Sequence, residues 1–344
     1  RKEAAMFDPD PQRQIAIREN EQQLVSHEID EKTGVMRTST LHAPTMLLTG
    51  HQAQIYTTKF GPSGRLLASA GHDKNIFLWE VYGKCRNLGL FQGHSGAVLQ
   101  VQWSADGEQL FSGSTDGTAA IWDVNSLTRI KKIKEHDSFV NSISPSKRGT
   151  TMLATGSDDG TAKLWDIRRK KSVKTFDCMY QVTAVSISLD GTLVYTGGID
   201  NDIKVWDYRR PGVLYLLEGH MDTVTGMSIS PNGSFLISNA MDNTIRYFDI
   251  KPYAPANRCL KLFEGAVHNN EKLLLKCNWN SDMTKIACGS SDRFVYIFDT
   301  NSRRIIYKLP GHTGSVNEVD FHPKEPIIAS CGSDKQIFIG EILP

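Results

Sequence analysis

The chain has 344 residues, 40% of them hydrophobic and 22% charged, and 39 Lys and Arg against 38 Asp and Glu leave a net charge of +1. That balance argues against a protein held on nucleic acid by its overall field, and no apolar run approaches membrane-spanning length. No signal-peptide pattern opens the chain, although a start at Arg1 rather than Met is what a trimmed form would show, leaving a lost targeting segment open. The six cysteines (Cys85, Cys178, Cys259, Cys277, Cys288, Cys331) are scattered without a C-x-x-C pair. They read as reduced core thiols of an intracellular protein, not as metal ligands or a disulfide framework.

Residues 1–44 come first and differ from the rest, with eight acidic and six basic residues and prolines at Pro9 and Pro11. Such a segment buries too little apolar surface to fold alone and is expected to be a flexible tail. Gln12 to Val25 allows a weak helix carrying Ile15 and Leu24. Thr45-Met46-Leu47-Leu48 then supplies a short strand with no partner of its own in the following unit.

From there the chain repeats. GHDKNIFLWE, STDGTAAIWD, SDDGTAKLWD, GIDNDIKVWD, AMDNTIRYFD, SSDRFVYIFD and GSDKQIFIGE align without gaps. Their aspartates are Asp73, Asp116, Asp159, Asp200, Asp242, Asp292 and Asp334, separated by 43, 43, 41, 42, 50 and 42 residues. That period fits one four-stranded propeller blade. Six positions on stand Trp79, Trp122, Trp165, Trp206, Phe248, Phe298 and Gly340, each followed by an acid. Four positions before each Asp stand Ser69, Ser112, Thr155, Thr196, Ser238, Cys288 and Ser330. Gly-His pairs place His51, His94, His220 and His312 upstream, and His136 follows Glu135.

The residue types suggest one network. A buried indole N–H needs an acceptor, which a strand hydroxyl supplies. The hydroxyl donates onward to the His, whose other nitrogen reaches the Asp. A connected set fixes one blade geometry, whereas half a set leaves buried groups unpaired. Rows such as Leu99, Val101 and Trp103 against Val98, Gln100 and Gln102 have the period of strands. The expected fold is an all-β, seven-bladed propeller over 45–344. The last copy ends after its third strand, so Thr45–Leu48 is expected to complete the last blade and close the ring.

The Gly-His to Trp-Asp repeat resembles that of WD-repeat (WD40) proteins over residues 45–344. GGIDNDIKVWD, SRRIIYKLPGH, FHPKEPII and the terminal IGEI, with Gly340 in place of the last Trp, are similar to WD-repeat components of the spliceosomal U5 small nuclear ribonucleoprotein. The resemblance implies a nuclear, non-catalytic scaffold of pre-mRNA splicing, monomeric within a large complex and docked against large U5 proteins. It implies neither cofactor nor metal.

Three departures stand out. Cys178 takes the place of His in the fourth copy, and Cys288 and Phe298 replace Ser and Trp in the sixth. The sixth copy is also eight residues longer, with most of the excess assigned near Lys251–Pro255; it reads as a functional loop or as a tolerated insertion. Arg168, Arg169, Lys170, Lys171, Arg209 and Arg210 follow third strands and read as a partner-binding or RNA-phosphate surface, or as plain solvated charge. WDIR (Trp165–Arg168) and WDYR (Trp206–Arg209) also resemble the pattern of cullin-4 ubiquitin-ligase receptors, which is the alternative function. The Asp, His and Ser trio recurs blade after blade, as hydrogen bonding requires and a single active site does not. No phosphate loop or metalloprotease motif is present.

Overall fold

The computed structural model describes residues 39–342, except 149, 150, 256 and 270. The helix expected over Gln12 to Val25 and most of the expected tail therefore lie outside the described residues. Twenty-eight strands form seven four-stranded antiparallel sheets arranged as propeller blades, with no helix among the described residues.

Blade one runs outward through Ile55–Phe60, Leu66–Gly71, Ile76–Glu80 and Asn87–Phe91. Blades two to six repeat this plan over 98–133, 140–177, 182–217, 224–264 and 277–309. Blade seven takes Val316–Phe321, Ile327–Gly332 and Ile337–Glu341, then borrows Thr45–Leu48 as its outer strand. Thr45 pairs with Gly340 and Leu48 with Ile337. Both ends of the described chain thus meet in one sheet.

Burial falls from the second strand outward. Leu67, Ala68, Ser69 and Ala70 are buried, whereas Thr128–Ile133 is mostly exposed. Between neighbouring blades lies a sandwich of side chains. Ala68, Ile76, Leu78 and Phe91 of blade one pack against Val98, Val101, Leu110 and Trp122 of blade two. Each large side chain so buried contributes about 1.5–3 kcal/mol.

First strands of adjacent blades share no sheet ladder, so polar side chains stitch them together. Thr57 Oγ1 accepts from Val101 N at 3.2 Å, Gln100 Oε1 from Ile143 N at 2.8 Å, and Ser142 Oγ from Val185 N at 3.0 Å. Thr183 Oγ1 then donates to Val224 O, and Thr225 Oγ1 to Leu275 O at 2.8 Å. Asn278 Nδ2 donates to Val319 O at 2.6 Å, and Asn317 Nδ2 to Ile55 O at 2.5 Å. All seven junctions carry such a bond. A loosened junction strands buried backbone groups, so opening the ring is costly.

Two expectations need correction. The packed chain begins before residue 45: Leu41 is buried in the cluster of Leu48, Ile55 and Trp79 and bridges to Gly83. Ser39 Oγ donates to Glu341 at 2.6 Å, and Thr40 N to Glu325 at 2.9 Å. One leucine and two hydroxyls just ahead of Ala43 and Pro44 carry no periodicity, which hid the boundary. The excess of the sixth copy is also divided. Part widens the turn between Thr244–Asp249 and Cys259–Glu264, and part lengthens the loop 265–276 before a three-residue first strand, Cys277–Trp279.

Candidate interaction site: a hydrogen-bonded frame with two faces

The residue after each repeat Asp has a positive φ in all seven blades: Lys74, Gly117, Gly160, Asn201, Asn243, Arg293 and Lys335. Only this left-handed corner lets the Asp carboxylate reach back over the turn, accepting for instance from Thr118 N at 3.0 Å. The turn thereby aims the carboxylate at the histidine.

The expected network is complete in blades one to three. His51 Nδ1 lies 2.7 Å from Asp73 and Nε2 2.7 Å from Ser69 Oγ, which accepts from Trp79 Nε1 at 2.8 Å. His94 meets Asp116 at 3.1 Å and Ser112 at 2.7 Å, with Trp122 Nε1 donating to Ser112 at 2.8 Å. His136 meets Asp159 at 2.7 Å and Thr155 at 2.8 Å, and Trp165 donates to Thr155 at 2.9 Å. With the indole donating, the hydroxyl proton goes to Nε2, which leaves Nδ1–H to bond the carboxylate.

Blade four replaces the histidine. Trp206 Nε1 donates to Thr196 Oγ1 at 2.9 Å, the Cys178 thiol sits 3.6 Å from the same oxygen, and Asp200 pairs with Lys204 at 2.5 Å. Blade five keeps His220 on Asp242 (3.0 Å) and Ser238 (2.6 Å), with Phe248 in place of Trp. In blade seven His312 reaches Asp334 at 2.9 Å and Ser330 at 2.9 Å, and Phe338 meets its edge 4.7 Å away. Blade six abandons the network: Ala266, Cys288 and Phe298 form an apolar cluster, while the Tyr296 hydroxyl donates to Asp292 at 2.6 Å.

Burial pushes the Asp116 carboxyl up, but bonds from His94, Thr118 and Ser95 N outweigh it and hold it well below the usual range. Asp159, Asp242 and Asp334 behave likewise. Burial lowers the His136 pKa against the pull of Asp159, so the ring stays neutral. These groups are spent on the frame: the histidines are at most 9% exposed.

First strands line a central channel enclosing about 360 Å³. Lys59 spans Glu318 at 3.2 Å and Asp320 at 3.0 Å across the ring closure, and Lys276 donates to Leu99 O at 2.9 Å. Burial brings Lys276 down to about 8. Sequence reading missed this group, although Lys59, Glu318 and Asp320 interrupt otherwise apolar or hydroxyl-bearing strands. Among the described residues no cluster of three His, Cys, Asp or Glu offers a metal site.

In each antiparallel blade the turns after first and third strands share one face, here the lower, and the remaining loops form the upper. Arg168–Lys171 and Arg209–Arg210 lie in adjacent lower-face turns of blades three and four. Arg168 folds back onto Asp166 through Nε and Nη2, both at 3.1 Å, and Arg169 and Arg210 lie 3.9 Å from Asp166 and Asp207. Lys170 and Lys171 are exposed, and Arg209 lies over the Tyr208 ring at 5.4 Å. The cluster is thus partly neutralised by its own turns. Lys131 Nζ caps Ile167 O at 2.9 Å, which ties the blade-three turn to blade two.

A ring of seven four-stranded blades framed by Asp, His, hydroxyl and Trp is a WD-repeat propeller. The family model "WD domain, G-beta repeat" matches residues 43–80, 85–123, 127–166, 170–207, 212–249 and 303–339, and the chain belongs to this family. It is 56% identical over 311 residues to the human U5 small nuclear ribonucleoprotein 40 kDa protein, covering 90% of this chain and 87% of that one. The Dictyostelium discoideum protein of the same name is 49% identical, covering 90% and 88%. Pre-mRNA-splicing factor cwf17 of Schizosaccharomyces pombe is 44% identical, covering 91% and 92%.

Proposed function

We propose that the chain is a non-catalytic WD-repeat scaffold of the U5 small nuclear ribonucleoprotein, working in the nucleus in pre-mRNA splicing. The observation that carries this reading is the identity of 44–56% running through nine-tenths of the chain to proteins named for that particle and that process. The burial of every Asp–His–hydroxyl set supports a frame in preference to an active site. The disc holds large U5 proteins against its faces, each interface burying on the order of 1,000 Å² or more. The lower-face arginines and lysines of blades three and four supply one contact, to an acidic segment or to RNA phosphate.

A tagged chain recovered from nuclear extract with U5 snRNA and large spliceosomal proteins, both lost on truncating the propeller, is the expected result. Recovery of cullin-4 components without snRNA would instead favour the receptor reading, which rests on WDIR and WDYR. Reversing the charges of Arg168–Lys171 weakens recovery if that turn is an interface. Unchanged recovery refutes the assignment of that turn.

A further inference from the structure

The upper face over blades three to five differs from the basic turns beneath it. Five large apolar side chains stand in solvent there: Phe139 (48% exposed), Met179 (81%), Tyr180 (57%), Ile199 (46%) and Met221 (84%). Backbone bonds link the loops that carry the first four. Asp158 N donates to Phe139 O at 3.0 Å, Cys178 N to Gly160 O at 2.9 Å, and Ile199 N to Gln181 O at 3.4 Å. The patch therefore passes from the turn of blade three, over the loop entering blade four, to the turn of blade four. Met221 N donates to Asp242 at 3.1 Å, which seats it at the entry to blade five.

Acids are interleaved with this patch. Asp137, Asp177, Glu218 and Asp222 are exposed and Asp202 is half-buried. None makes an ion pair among the described residues, and Lys204 beside Asp202 is held by Asp200 at 2.5 Å and Cys178 O at 2.7 Å. Burial, then the like charges of Glu218 and Asp200, raise the Asp202 carboxyl, which records how crowded the negative charge is. Contiguous exposed Met and aromatic side chains on a folded domain mark an interaction surface, and thioethers adapt to varied apolar partners.

We propose that this upper face docks a segment of a protein partner that carries Lys or Arg among large apolar side chains. Cations of the segment meet Asp137, Asp177, Asp202, Glu218 and Asp222, and its apolar residues cover Met179, Tyr180 and Met221. A phosphate backbone is repelled by the same acids. Two copies joined through this face would set acid against acid.

The test uses the purified full chain and a short fluorescent peptide alternating Lys with Leu and Trp, read by polarisation. One control peptide has Glu for Lys, and a second has Ser for Leu and Trp. The first peptide binds, and each control binds at least about tenfold more weakly. M179E/M221E and D202K/E218K each weaken binding by about tenfold or more, because both the apolar and the charged halves contribute. K84E/R86E, in the exposed lower-face turn of blade one, leaves it unchanged. Equal binding of the Ser control, or of the M179E/M221E variant with an unaltered melting curve, overturns the proposal in favour of unspecific charge attraction. No binding of the first peptide overturns it as well. None of these outcomes touches the splicing assignment, which rests on a separate recovery experiment.

Discussion

Ser112→Ala in blade two tests whether the repeated polar network holds the frame. Ser112 is fully buried, and its hydroxyl joins Trp122 Nε1 at 2.8 Å to His94 Nε2 at 2.7 Å. Alanine leaves an indole N–H and an imidazole nitrogen without partners, and Trp122, 1% exposed, has no access to water. Each stranded group costs about 1–3 kcal/mol, so the expected loss is roughly 3 kcal/mol. At about 2–4 °C per kcal/mol for large domains, the thermal midpoint falls by about 6–12 °C. Ser112→Thr is the control, because Thr155 and Thr196 accept from their own tryptophans at 2.9 Å. It should cost less than about 1 kcal/mol. The triple variant H94A/S112C/W122F copies the apolar set of blade six (Ala266, Cys288, Phe298) and removes donors together with acceptors. Its cost falls short of the summed single losses by about 1–3 kcal/mol of coupling. Urea melts of wild type, these three variants and the single variants H94A, S112C and W122F decide the matter. Single losses that add, or an alanine variant as stable as the threonine one, would refute the idea of a connected network.

Acid sensitivity follows from the same groups. The carboxyls of Asp116, Asp159, Asp242 and Asp334 are lower in the folded state, so their stabilisation is complete above the ordinary Asp value near about 4 and drains away as pH falls below it. His136, also lowered, adds a loss that begins as pH falls through about 6.5, where the unfolded ring takes up its proton first. Urea midpoints between pH 7 and pH 3 should therefore drop less for Asp116→Asn than for the wild type; an equal drop removes Asp116 from the account. Leu41→Ala should cost about 2–4 kcal/mol, because Leu41 is 4% exposed in the closure cluster. A neutral result in a thermal melt would mean that residues 39–44 merely rest on the ring. Arg293→Gly relieves a left-handed corner at φ 75° and should raise stability by about 0.5–1 kcal/mol, since the strain removed exceeds the added freedom of the unfolded chain. A lowered thermal midpoint would contradict this.

The sequence made the blade plan legible because one physical problem is solved repeatedly with the same residue types. An indole that needs an acceptor, beside a turn that needs a carboxylate, leaves Ser112, Asp116 and Trp122 at spacings that recur. Single solutions leave no such trace. The ring stitches use Thr57, Gln100, Ser142, Thr183, Thr225, Asn278 and Asn317, chemically varied because each meets a different neighbouring backbone. Lys59 and Glu318 stand 259 positions apart and meet only because the ring closes. Exposed Met179 and Met221 look like core residues in a hydropathy pattern, and only the placement of their loops turns them outward.

That contrast bears on what the propeller is for. Blade six holds its place between blades five and seven with an apolar centre and a Tyr296–Asp292 bond instead of the His-centred set, so no individual network is required by the architecture. Five blades nevertheless keep the His–Asp–hydroxyl triplet fully bonded. A polar network fixes the turn between second and third strands in a way that apolar packing does not, because hydrogen bonds are directional whereas burial tolerates sliding. The turns fixed in this manner lie on the upper face, alongside the loops bearing Phe139 and Met221. Rigidity of this kind reaches the loops bearing Phe139 and Met221, whereas the blade-four loops bearing Met179, Tyr180 and Ile199 lack the histidine. A partner that binds the proposed face would meet preorganised flanks in blades three and five and have only the blade-four loops between them to order.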